Sequence, residues 1–497
     1  MGCTMYNIGI VGFGVVGRSI LTFLNEKKGQ AVNQDDHDIM HVSVWDARLL
    51  SGDEQAFIKD YGAAVADPSA VSLEEFLKKN DYIVASPGID LNAYQQYSNK
   101  FLCELDFFST FFAKPTIAIT GSLGKTTITK LLGNLTSLVS YLPQSEQSRF
   151  IQHFGGQEKI SSVVGGNIGI GMLDLVGQQE AYDLGVLELS SFQLELNKKF
   201  SPDIAILTNI YANHLDRHQT IAAYGDAKLN VMRYQRPGQV AVLPFDLLVG
   251  DTVPNTSLLE IKSKVCVVAS HLPDQSELKK IKREEYFLFY AHENVLWTTT
   301  VKQGICDQPL QLFDLRVLPS VTFLTNWLQV LTTLYVLGAD LPALEQYFMA
   351  QGADFLLDDH HHRVEHFVTI NGVEFYNDSK STVIQATQAA VEKLSANGKP
   401  LILIVGGLGK GVDRSPLMTY LRSVKNLKKI YCFGKDCSVF SSCAYFPTLE
   451  ETVADIATIM QPGDQVLFSP SGTSFDLFKN YEHRGKVFKE LVLRLKT

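Results

Sequence analysis

The chain has 497 residues, of which 45% are hydrophobic and 20% charged, a composition typical of a globular protein with about two to four domains. Its 53 acidic and 44 basic side chains give a net charge of −9, which argues against nucleic acid or an anionic membrane as the main partner. No apolar run approaches the roughly 18 residues of a membrane span, and the first predicted strand begins too early for a signal peptide, so we expect a cytoplasmic protein.

Short runs of β-branched and other apolar residues recur along the chain, each followed by glycine or a small polar residue and then by a helix-like segment. Continuous apolar strands that alternate with helices indicate parallel sheets covered by helices on both faces. The pattern restarts near residue 114, after FFAKP, and again near residue 359, at DDHHHRVEHF. We therefore predict an α/β protein with domains at residues 1–114, 115–358 and 359–497.

The first predicted strand, 7–11, is followed directly by Gly12, Gly14 and Gly17 in the spacing G-x-G-x-x-G, and Asp46 ends the next strand. This pattern is typical of a dinucleotide-binding fold, although the interval to Asp46 is longer than the usual ~20 residues. Two interpretations follow from the residues. The chain is a nicotinamide oxidoreductase, or this domain binds the diphosphate of a nucleotide-linked substrate.

A second glycine-rich turn follows the predicted strand 115–120 and precedes a segment with helical apolar spacing. Strand, turn and helix N-terminus together point backbone N–H groups at an anion. Lys125 would contact the β and γ phosphates of ATP, and the Thr126 hydroxyl would coordinate Mg²⁺. The loop is shorter than a Walker A motif, because Ile119 stands where that motif needs glycine. Two phosphate sites in one chain favour a kinase or ligase that activates one substrate and presents it to another.

Three further side chains follow or lie near buried strands. Glu188 ends a strand, where a carboxylate is costly unless it is paired or bound to metal, so it is a candidate Mg²⁺ ligand. His214 follows the strand 204–209, and Lys228 lies on a predicted helix. From the residues alone, a packed histidine and a solvated lysine are the alternatives to functional roles.

The seven cysteines are scattered along the chain. Cys432, Cys437 and Cys443 have the spacing C-x4-C-x5-C, which is typical of neither a zinc site nor a redox pair. We therefore expect free thiols.

Taken together, eight segments resemble the Mur ligase family, and within it the members that add D-glutamate. Their order and spacing carry the resemblance from residue 120 almost to the C-terminus. The segments are TGSLGKTT (120–127), GGNIGIG (165–171), LELSSFQLE (187–195), TNIYANHLDRH (208–218), HHRVE (361–365), YNDSKSTV (376–383), GGLGKGVD (406–413) and SPSGTSFDLFKNYEHRG (469–485).

The resemblance implies an ATP-dependent ligase that joins D-glutamate to UDP-N-acetylmuramoyl-L-alanine through an acyl phosphate, as a cytoplasmic monomer in peptidoglycan precursor synthesis. It implies a Rossmann-like N-terminal domain for the UDP-linked substrate and a central P-loop-type, parallel-sheet ATPase domain. A Rossmann-like C-terminal domain would receive D-glutamate.

The resemblance also implies site residues, position by position. The UDP-linked substrate would be bound by Gly14, Asp46, Arg48, Ser86 and Gly88, with Asn167 and Ser190 on its muramoyl-alanine arm. ATP would be bound by Gly121, Ser122, Gly124, Lys125, Thr126, Thr127, Asn326, Arg363 and Asp378. D-Glutamate would be bound by Lys380, Thr382, Lys410, Ser474 and Phe475. One Mg²⁺ would be held by Thr126 and Glu188, and a second by His214 and a carbamylated Lys228. The catalytic set would be Lys125, Glu188, His214, Lys228 and Lys380.

The sequence departs from the family pattern at several positions. Leu123 stands where the family usually has Asn, Asn213 where Asp is usual, and Leu408 replaces an Asp. The stretch 317–326 keeps only Asn326 of an expected G-x-H-N-x-x-N motif. Alternatives are a ligase of another Mur type or of the folylpolyglutamate synthetase type, a nicotinamide oxidoreductase, and a catalytically silent binding homologue.

Overall fold

The computed structural model describes residues 5–27, 39–142, 154, 157, 159–250, 260–319, 322–351 and 362–496. Three separate β-sheets organise these residues. By internal contacts the chain forms two compact units, one of residues 1–210 and 225–356 and the other of residues 211–224 and 357–497. The predicted domain boundary near residue 359 lies outside the described residues.

The N-terminal sheet has five parallel strands in the order β3-β2-β1-β4-β5. This order is the first part of the Rossmann arrangement, in which ligands bind where the strand order reverses, here beside β1. The strands are β1 (Met5–Val11), β2 (Ile39–Trp45), β3 (Ala64–Ala66), β4 (Tyr82–Ala85) and β5 (Phe101–Leu102). The helices are Val15–Lys27, Gly52–Asp60, Leu73–Lys79 and Glu104–Phe111, with a kinked 3₁₀ segment at Asn92–Lys100.

The central sheet has ten strands in the order β14-β13-β12-β11-β10-β9-β6-β8-β7, with β15 paired to β13. The strands from β7 to β12 are parallel, as predicted, but β13, β14 and β15 add an antiparallel edge. The reason is local: Glu293 and Asn294 both have left-handed backbone, with φ of 50° and 60°, which closes a two-residue hairpin between β12 and β13.

The strands of this sheet are β6 (Thr116–Thr120), β7 (Ser162–Gly166), β8 (Leu184–Glu188), β9 (Ile204–Leu207), β10 (Val240–Pro244), β11 (Lys264–Ala269), β12 (Glu285–His292), β13 (Val295–Lys302), β14 (Ile305–Cys306) and β15 (Leu310–Asp314). Helices in this part of the chain are Lys125–Leu135, Met172–Gln178, Ser191–Glu195, Leu215–His218, Ile221–Arg233, Phe245–Val249, Gln275–Leu278, Leu324–Leu337 and Leu341–Gln351. None of the helices in the described residues is long and apolar enough to cross a membrane.

The C-terminal sheet has the order β16-β17-β21-β18-β19-β20, parallel except for the pair β16–β17. Strand β18 is apolar on both faces, because Ile402 and Ile404 pack into one buried cluster while Leu401 and Leu403 pack into another. The strands are β16 (Glu365–Ile370), β17 (Val373–Asn377), β18 (Leu401–Gly406), β19 (Leu427–Phe433), β20 (Ala444–Phe446) and β21 (Gln465–Phe468). The helices are Ile384–Ser395, Ser415–Leu421, Leu449–Ile459 and Tyr481–Leu493.

One cysteine pair corrects the sequence analysis. Cys432, near the end of β19, and Cys437, in the following turn, form a disulfide with their Cα atoms 6.2 Å apart. The prediction of free thiols is therefore wrong for this pair. The turn reverses the chain at Gly434, whose φ is +89°, and this brings the two side chains to the same place. Cys443, the third member of the motif, is a free thiol.

Candidate active site

The phosphate loop lies between β6 and the helix Lys125–Leu135. Gly121 has a φ of 144° and Gly124, the residue that caps the helix, has a φ of 84°. A β-carbon on Gly121 would collide with the Thr208 hydroxyl, and one on Gly124 would lie 2.6 Å from the Asn326 amide oxygen. Both glycines are therefore fixed by backbone conformation and by close neighbours.

Two residues that sequence reasoning missed hold this loop from the end of β9. The Thr208 hydroxyl donates to the Leu123 carbonyl at 2.5 Å, and the Leu123 N–H donates to the Asn209 side chain at 2.9 Å. The Ser122 N–H donates to the Asn209 carbonyl at 3.0 Å. Because these bonds use the backbone of Leu123, its departure from the family's Asn leaves the loop intact.

Lys125 is the first residue of the helix. Its Nζ donates to the Gly121 carbonyl at 2.9 Å and to the Ser122 carbonyl at 3.3 Å. The ammonium group thus lies against the glycine-rich loop, and its contact to the β and γ phosphates stays a prediction. Thr126 and Thr127 follow it in the first helical turn.

The carboxylate of Glu188 lies at the end of β8, in register with Ile119 of β6. The side chain is buried, and its Oε1 accepts a hydrogen bond from the Asn167 amide at 3.0 Å. Its Oε2 is buried and has no hydrogen-bond partner among the described residues. A buried carboxylate oxygen without a hydrogen-bond partner costs about 1–3 kcal/mol, so this oxygen is a candidate ligand for a divalent cation.

Lys228 is completely buried, which excludes the solvated lysine considered above. Its Nζ lies 3.4 Å from the Thr120 hydroxyl. Burial, and then the charge of Lys125, lower the pKa of Lys228 well below its ordinary value, although the Glu188 carboxylate acts in the opposite direction. This shift favours the uncharged amine, which is the form that reacts with carbon dioxide.

Asn326 touches the phosphate loop at Gly124 and is held by a hydrogen bond from its amide to the Thr322 hydroxyl at 2.7 Å. The one residue retained from the divergent motif at 317–326 is therefore the one that contacts the loop. Residues 320 and 321 of that stretch lie outside the described residues.

In the N-terminal sheet, Asp46 hydrogen-bonds to the glycine-rich turn that follows β1. Its Oδ2 accepts from the Phe13 N–H at 2.7 Å, and its Oδ1 accepts from the Arg48 N–H at 3.0 Å. The Arg48 guanidinium donates to both carboxylate oxygens of Glu54, at 2.9 and 2.8 Å, and the hydrogen bonds from Arg48 hold the pKa of Glu54 well below its usual range. Glu54 was not predicted, although its position in the S-x-x-E capping sequence of the helix Gly52–Asp60 is a visible signal.

Ser86, at the end of β4, donates from its hydroxyl to the Gly12 carbonyl at 2.8 Å. A β-carbon on Gly14 or on Gly88 would meet no atom within 4 Å other than those of its chain neighbours. The predicted UDP contacts of this sheet therefore gather beside the ends of β1, β2 and β4.

Ser190 caps the helix Ser191–Glu195 and is fixed by Gln193, whose amide oxygen accepts from the Ser190 N–H at 2.9 Å. Gln193 also hydrogen-bonds to the buried Glu104, from the helix that ends the N-terminal region. Burial, and then the nearby Asp174, raise the pKa of Glu104 to about 7. The predicted arm-binding residue Ser190 is thus held by a buried polar chain.

In the second unit, Asp378 is buried and accepts from the Ser469 hydroxyl at 2.6 Å. Burial raises the pKa of Asp378 to about 7, although that hydrogen bond and the charge of Arg363 lower it. The Nζ of Lys380 lies 5.0 Å from the centre of the Tyr481 ring. Thr382 is half-buried in the segment between β17 and the helix Ile384–Ser395.

The loop after β18 carries Lys410, whose Nζ lies 3.4 Å from Nδ1 of His214. His214 has a left-handed backbone with a φ of 54°, and its N–H donates to the side chain of Asn213 at 3.0 Å. Ser474 is buried, whereas Phe475 is exposed. His214 and Lys228 belong to different units, so their shared Mg²⁺ site stays a prediction.

The described residues contain no group of three or more His, Cys, Asp or Glu side chains that could hold a metal ion. The predicted Mg²⁺ sites have a different composition, since one pairs the Thr126 hydroxyl with the Glu188 carboxylate and the other pairs the His214 imidazole with a carbamate on Lys228. Mg²⁺ in nucleotide sites is commonly bound by one or two protein ligands together with substrate phosphates and water.

Comparison with known proteins identifies the family. The family profile described as the Mur ligase middle domain matches residues 119–295. The sequence is 30% identical over 495 residues to the UDP-N-acetylmuramoylalanine–D-glutamate ligase of Vibrio vulnificus (strain YJ016), covering 97% of this chain and 96% of that protein. The chain belongs to the Mur ligase family. The resemblance drawn from the sequence segments is therefore confirmed.

Other relatives of this Mur ligase agree along the whole chain. The ligase of the same name from Thermoanaerobacter sp. (strain X514) is 29% identical over 509 residues and is covered to 98%, as is this chain. Among solved structures, a pseudomurein peptide ligase type C from Methanothermus fervidus matches 99% of this chain with a TM-score of 0.50 and 14% identity. At that identity the likeness supports the fold alone, and it agrees with the predicted α/β class.

Proposed function

We propose that this Mur ligase joins D-glutamate to UDP-N-acetylmuramoyl-L-alanine with hydrolysis of ATP to ADP and phosphate. One observation carries the proposal: the phosphate loop and the orphan oxygen of Glu188 lie at the ends of adjacent strands, β6 and β8. A loop for phosphates beside an unpartnered carboxylate oxygen suits a nucleotide that brings a divalent cation with it. The full-length relatives named for this reaction support the choice of substrates.

In the first step, a carboxylate oxygen of the UDP-linked substrate attacks the γ-phosphorus of ATP, and ADP leaves. Lys125 and the N–H groups of the loop would offset the charge on the phosphates, so the catalysis is mainly positioning and electrostatics. Asn326, Arg363 and Asp378 would help to hold ATP. The substrate would be held by Arg48 and its neighbours at the ends of β1, β2 and β4, with Asn167 and Ser190 on the muramoyl-alanine arm.

In the second step, the amine of D-glutamate attacks the acyl phosphate, the tetrahedral adduct collapses, and phosphate leaves. We assign the binding of D-glutamate to Lys380, Thr382, Lys410, Ser474 and Phe475. Two lysines among these residues match the two carboxylates of the incoming amino acid.

The residues present fit Mg²⁺. Thr126 and Glu188 would hold one ion, and His214 with a carbamylated Lys228 would hold another. The burial of Lys228, which lowers its pKa, supports carbamylation, since the reaction with carbon dioxide consumes a neutral amine and produces an anionic oxygen ligand. When bound, the ions would offset the negative charge of the phosphates. We also propose that the protein acts as a cytoplasmic monomer.

The decisive assay measures phosphate release from ATP by purified protein with UDP-N-acetylmuramoyl-L-alanine and each candidate amino acid in turn. We expect release with D-glutamate and at most a small fraction of that rate with L-glutamate or other acceptors. Release with a different acceptor would indicate another Mur-type or folylpolyglutamate synthetase-type ligase. Oxidation of NADH would indicate the oxidoreductase, and absence of turnover with every acceptor would indicate a silent homologue.

A further inference from the structure

The loop that follows β18, residues 406–413, has an unusual backbone. Gly407, Lys410 and Gly411 all have left-handed conformations, with φ of 70°, 51° and 73°. Glycine adopts this conformation without strain, but for a residue with a β-carbon such as Lys410 it is unfavourable. The loop that presents Lys410 therefore needs contacts that hold it in place.

One side of the loop is held by backbone pairing. The Leu408 N–H donates to the Thr473 carbonyl at 3.0 Å, and the Thr473 N–H donates back to the Leu408 carbonyl at 2.9 Å. This pair joins the loop to the segment that carries Ser474. It uses backbone atoms only, so the replacement of an Asp by Leu408 leaves it unchanged.

The other side is held by Asp436, which lies in the turn after β19. Its Oδ2 accepts from the Gly409 N–H at 2.9 Å, directly before Lys410. The same oxygen lies 3.1 Å from Nη2 of Arg414, which also donates to the Asp436 carbonyl, while Nη1 of Arg414 donates to the Gly406 carbonyl at 3.1 Å. Arg414 is almost completely buried. Asp436 and Arg414 thus form a clamp across the base of the loop.

The clamp depends on a short covalent ring. The Cys432–Cys437 disulfide encloses the turn 433–436, which contains Asp436. Cys432 is buried within the sheet, whereas Cys437 is partly exposed. The exposed partner is the one at which thiol–disulfide exchange can begin.

We propose that Asp436 is a positioning residue for Lys410, and that the Cys432–Cys437 disulfide holds Asp436 in place, so that reduction of this bond weakens binding of the incoming amino acid. The inference rests on the proposed function, because D-glutamate is the probe. A dithiol reductant breaks the S–S bond by exchange, delivering two electrons and two protons to the protein sulfurs and forming its own disulfide.

The first test compares Asp436→Ala, Asp436→Asn and the control Asp455→Asn. Asp455 lies on the helix Leu449–Ile459 and accepts from the Tyr431 hydroxyl of β19 at 2.6 Å. Loss of the clamp by Asp436→Ala should raise the KM for D-glutamate about tenfold, the factor that corresponds to about 1.4 kcal/mol, with kcat changed much less. Asp436→Asn should restore most of the affinity, because its amide oxygen still accepts from Gly409. Asp455→Asn should match the wild type.

Amide hydrogen exchange of residues 406–413, measured without ligands, gives a readout that does not depend on activity. Asp436→Ala should exchange the Gly409 amide about tenfold faster than the wild type. An unchanged exchange rate, or an unchanged KM for D-glutamate in Asp436→Ala, would overturn the positioning role. Absence of D-glutamate-dependent turnover in the wild type would instead defeat the proposed function, and exchange would still decide the clamp.

The second test compares wild-type protein treated with dithiothreitol and with oxidised glutathione. The reduced protein should have a KM for D-glutamate raised several-fold, and reoxidation should reverse the change. The double variant Cys432→Ser/Cys437→Ser should behave like the reduced protein and should not respond to either reagent. Equal KM values for the two wild-type samples, or a redox response that persists in the double variant, would refute the role of the disulfide.

Discussion

Replacement of Glu188 by Gln separates a functional carboxylate from a structural one. The Gln side chain has the same shape, and its oxygen accepts the hydrogen bond that Asn167 now donates to Oε1. The orphan Oε2, however, becomes an amide nitrogen, which repels a cation. Because an unpartnered charged group costs more to bury than an unpartnered neutral amide, Glu188→Gln should leave the free energy of unfolding unchanged or raise it by about 1 kcal/mol.

With ligands bound, Glu188→Gln should be less stable than the wild type. In the wild type, Mg²⁺ and ATP at about one hundred times their dissociation constant should add about 2.7 kcal/mol of stability. For a domain of about 250 residues this raises the melting midpoint by roughly 5–10 °C. Glu188→Gln should lose most of this increment, and D-glutamate-dependent phosphate release should fall at least about a hundredfold.

Thermal melting with and without Mg²⁺ and ATP, together with the phosphate assay, tests both statements. Glu195→Gln, in the same LELSSFQLE segment, is the matched control and should behave like the wild type in all measurements. The reasoning is refuted if Glu188→Gln melts several degrees lower without ligands while it keeps both the nucleotide-induced shift and turnover.

Three further predictions follow from the same geometry. Lys125→Ala should abolish phosphate release but leave the affinity for the UDP-linked substrate, measured by calorimetry, within about twofold of the wild type. Lys130→Ala is the control and should behave like the wild type. Loss of both phosphate release and substrate binding in Lys125→Ala would mean that the two nucleotide sites are wrongly assigned. If Lys228 is carbamylated, activity should decline in buffer depleted of carbon dioxide and return on addition of bicarbonate, with a carbamate signal in ¹³C NMR that is absent from Lys228→Met; full activity without carbon dioxide would exclude the modification. Since the pKa of Glu104 is raised to about 7, the folded protein retains a proton that the unfolded chain releases, so this stabilisation is present at low pH and is lost as the pH rises from about 4.5 to 7. In urea unfolding at pH 5 and pH 8, the free energy of unfolding of the wild type should fall by about 2.5 kcal/mol more than that of Glu104→Gln, and equal losses would contradict the shift.

Features that depend on neighbours in sequence were predicted well. The phosphate loop lies between a strand and a helix that are adjacent in sequence, and its two glycines adopt backbone angles that favour glycine over other residues. The end of β8 was visible as an apolar run, which placed Glu188 at the carboxyl edge of a sheet. The parallel arrangement of β7 to β12 follows from the same alternation of strands and helices.

Features that depend on partners distant in sequence were missed. Asn209 holds the phosphate loop across 86 residues of chain, and nothing in its own segment, TNIYANHLDRH, indicates that its partner is that loop. The Cys432–Cys437 disulfide depends on how a turn reverses after β19, which the cysteine spacing does not reveal. The antiparallel edge of the central sheet depends on a hairpin at Glu293 and Asn294, both of which have left-handed backbone. Of these two residues only Asn favours that conformation, so the sequence indicates the hairpin weakly.

The alternative of a catalytically silent homologue can be tested against the features of the sites that lower the stability of the fold. The sites contain an orphan carboxylate oxygen at Glu188, a completely buried amine at Lys228, and left-handed backbone at His214 and Lys410. Each of these is unfavourable for stability, and such exceptions to local rules concentrate where function requires them. A binding protein that had lost catalysis would gain stability from replacing them, since a well-packed apolar residue at 188 or 228 removes the buried polar group together with its cost. Their joint presence, at positions singled out by the Mur ligase pattern, therefore favours a working ligase despite the divergent stretch at 317–325.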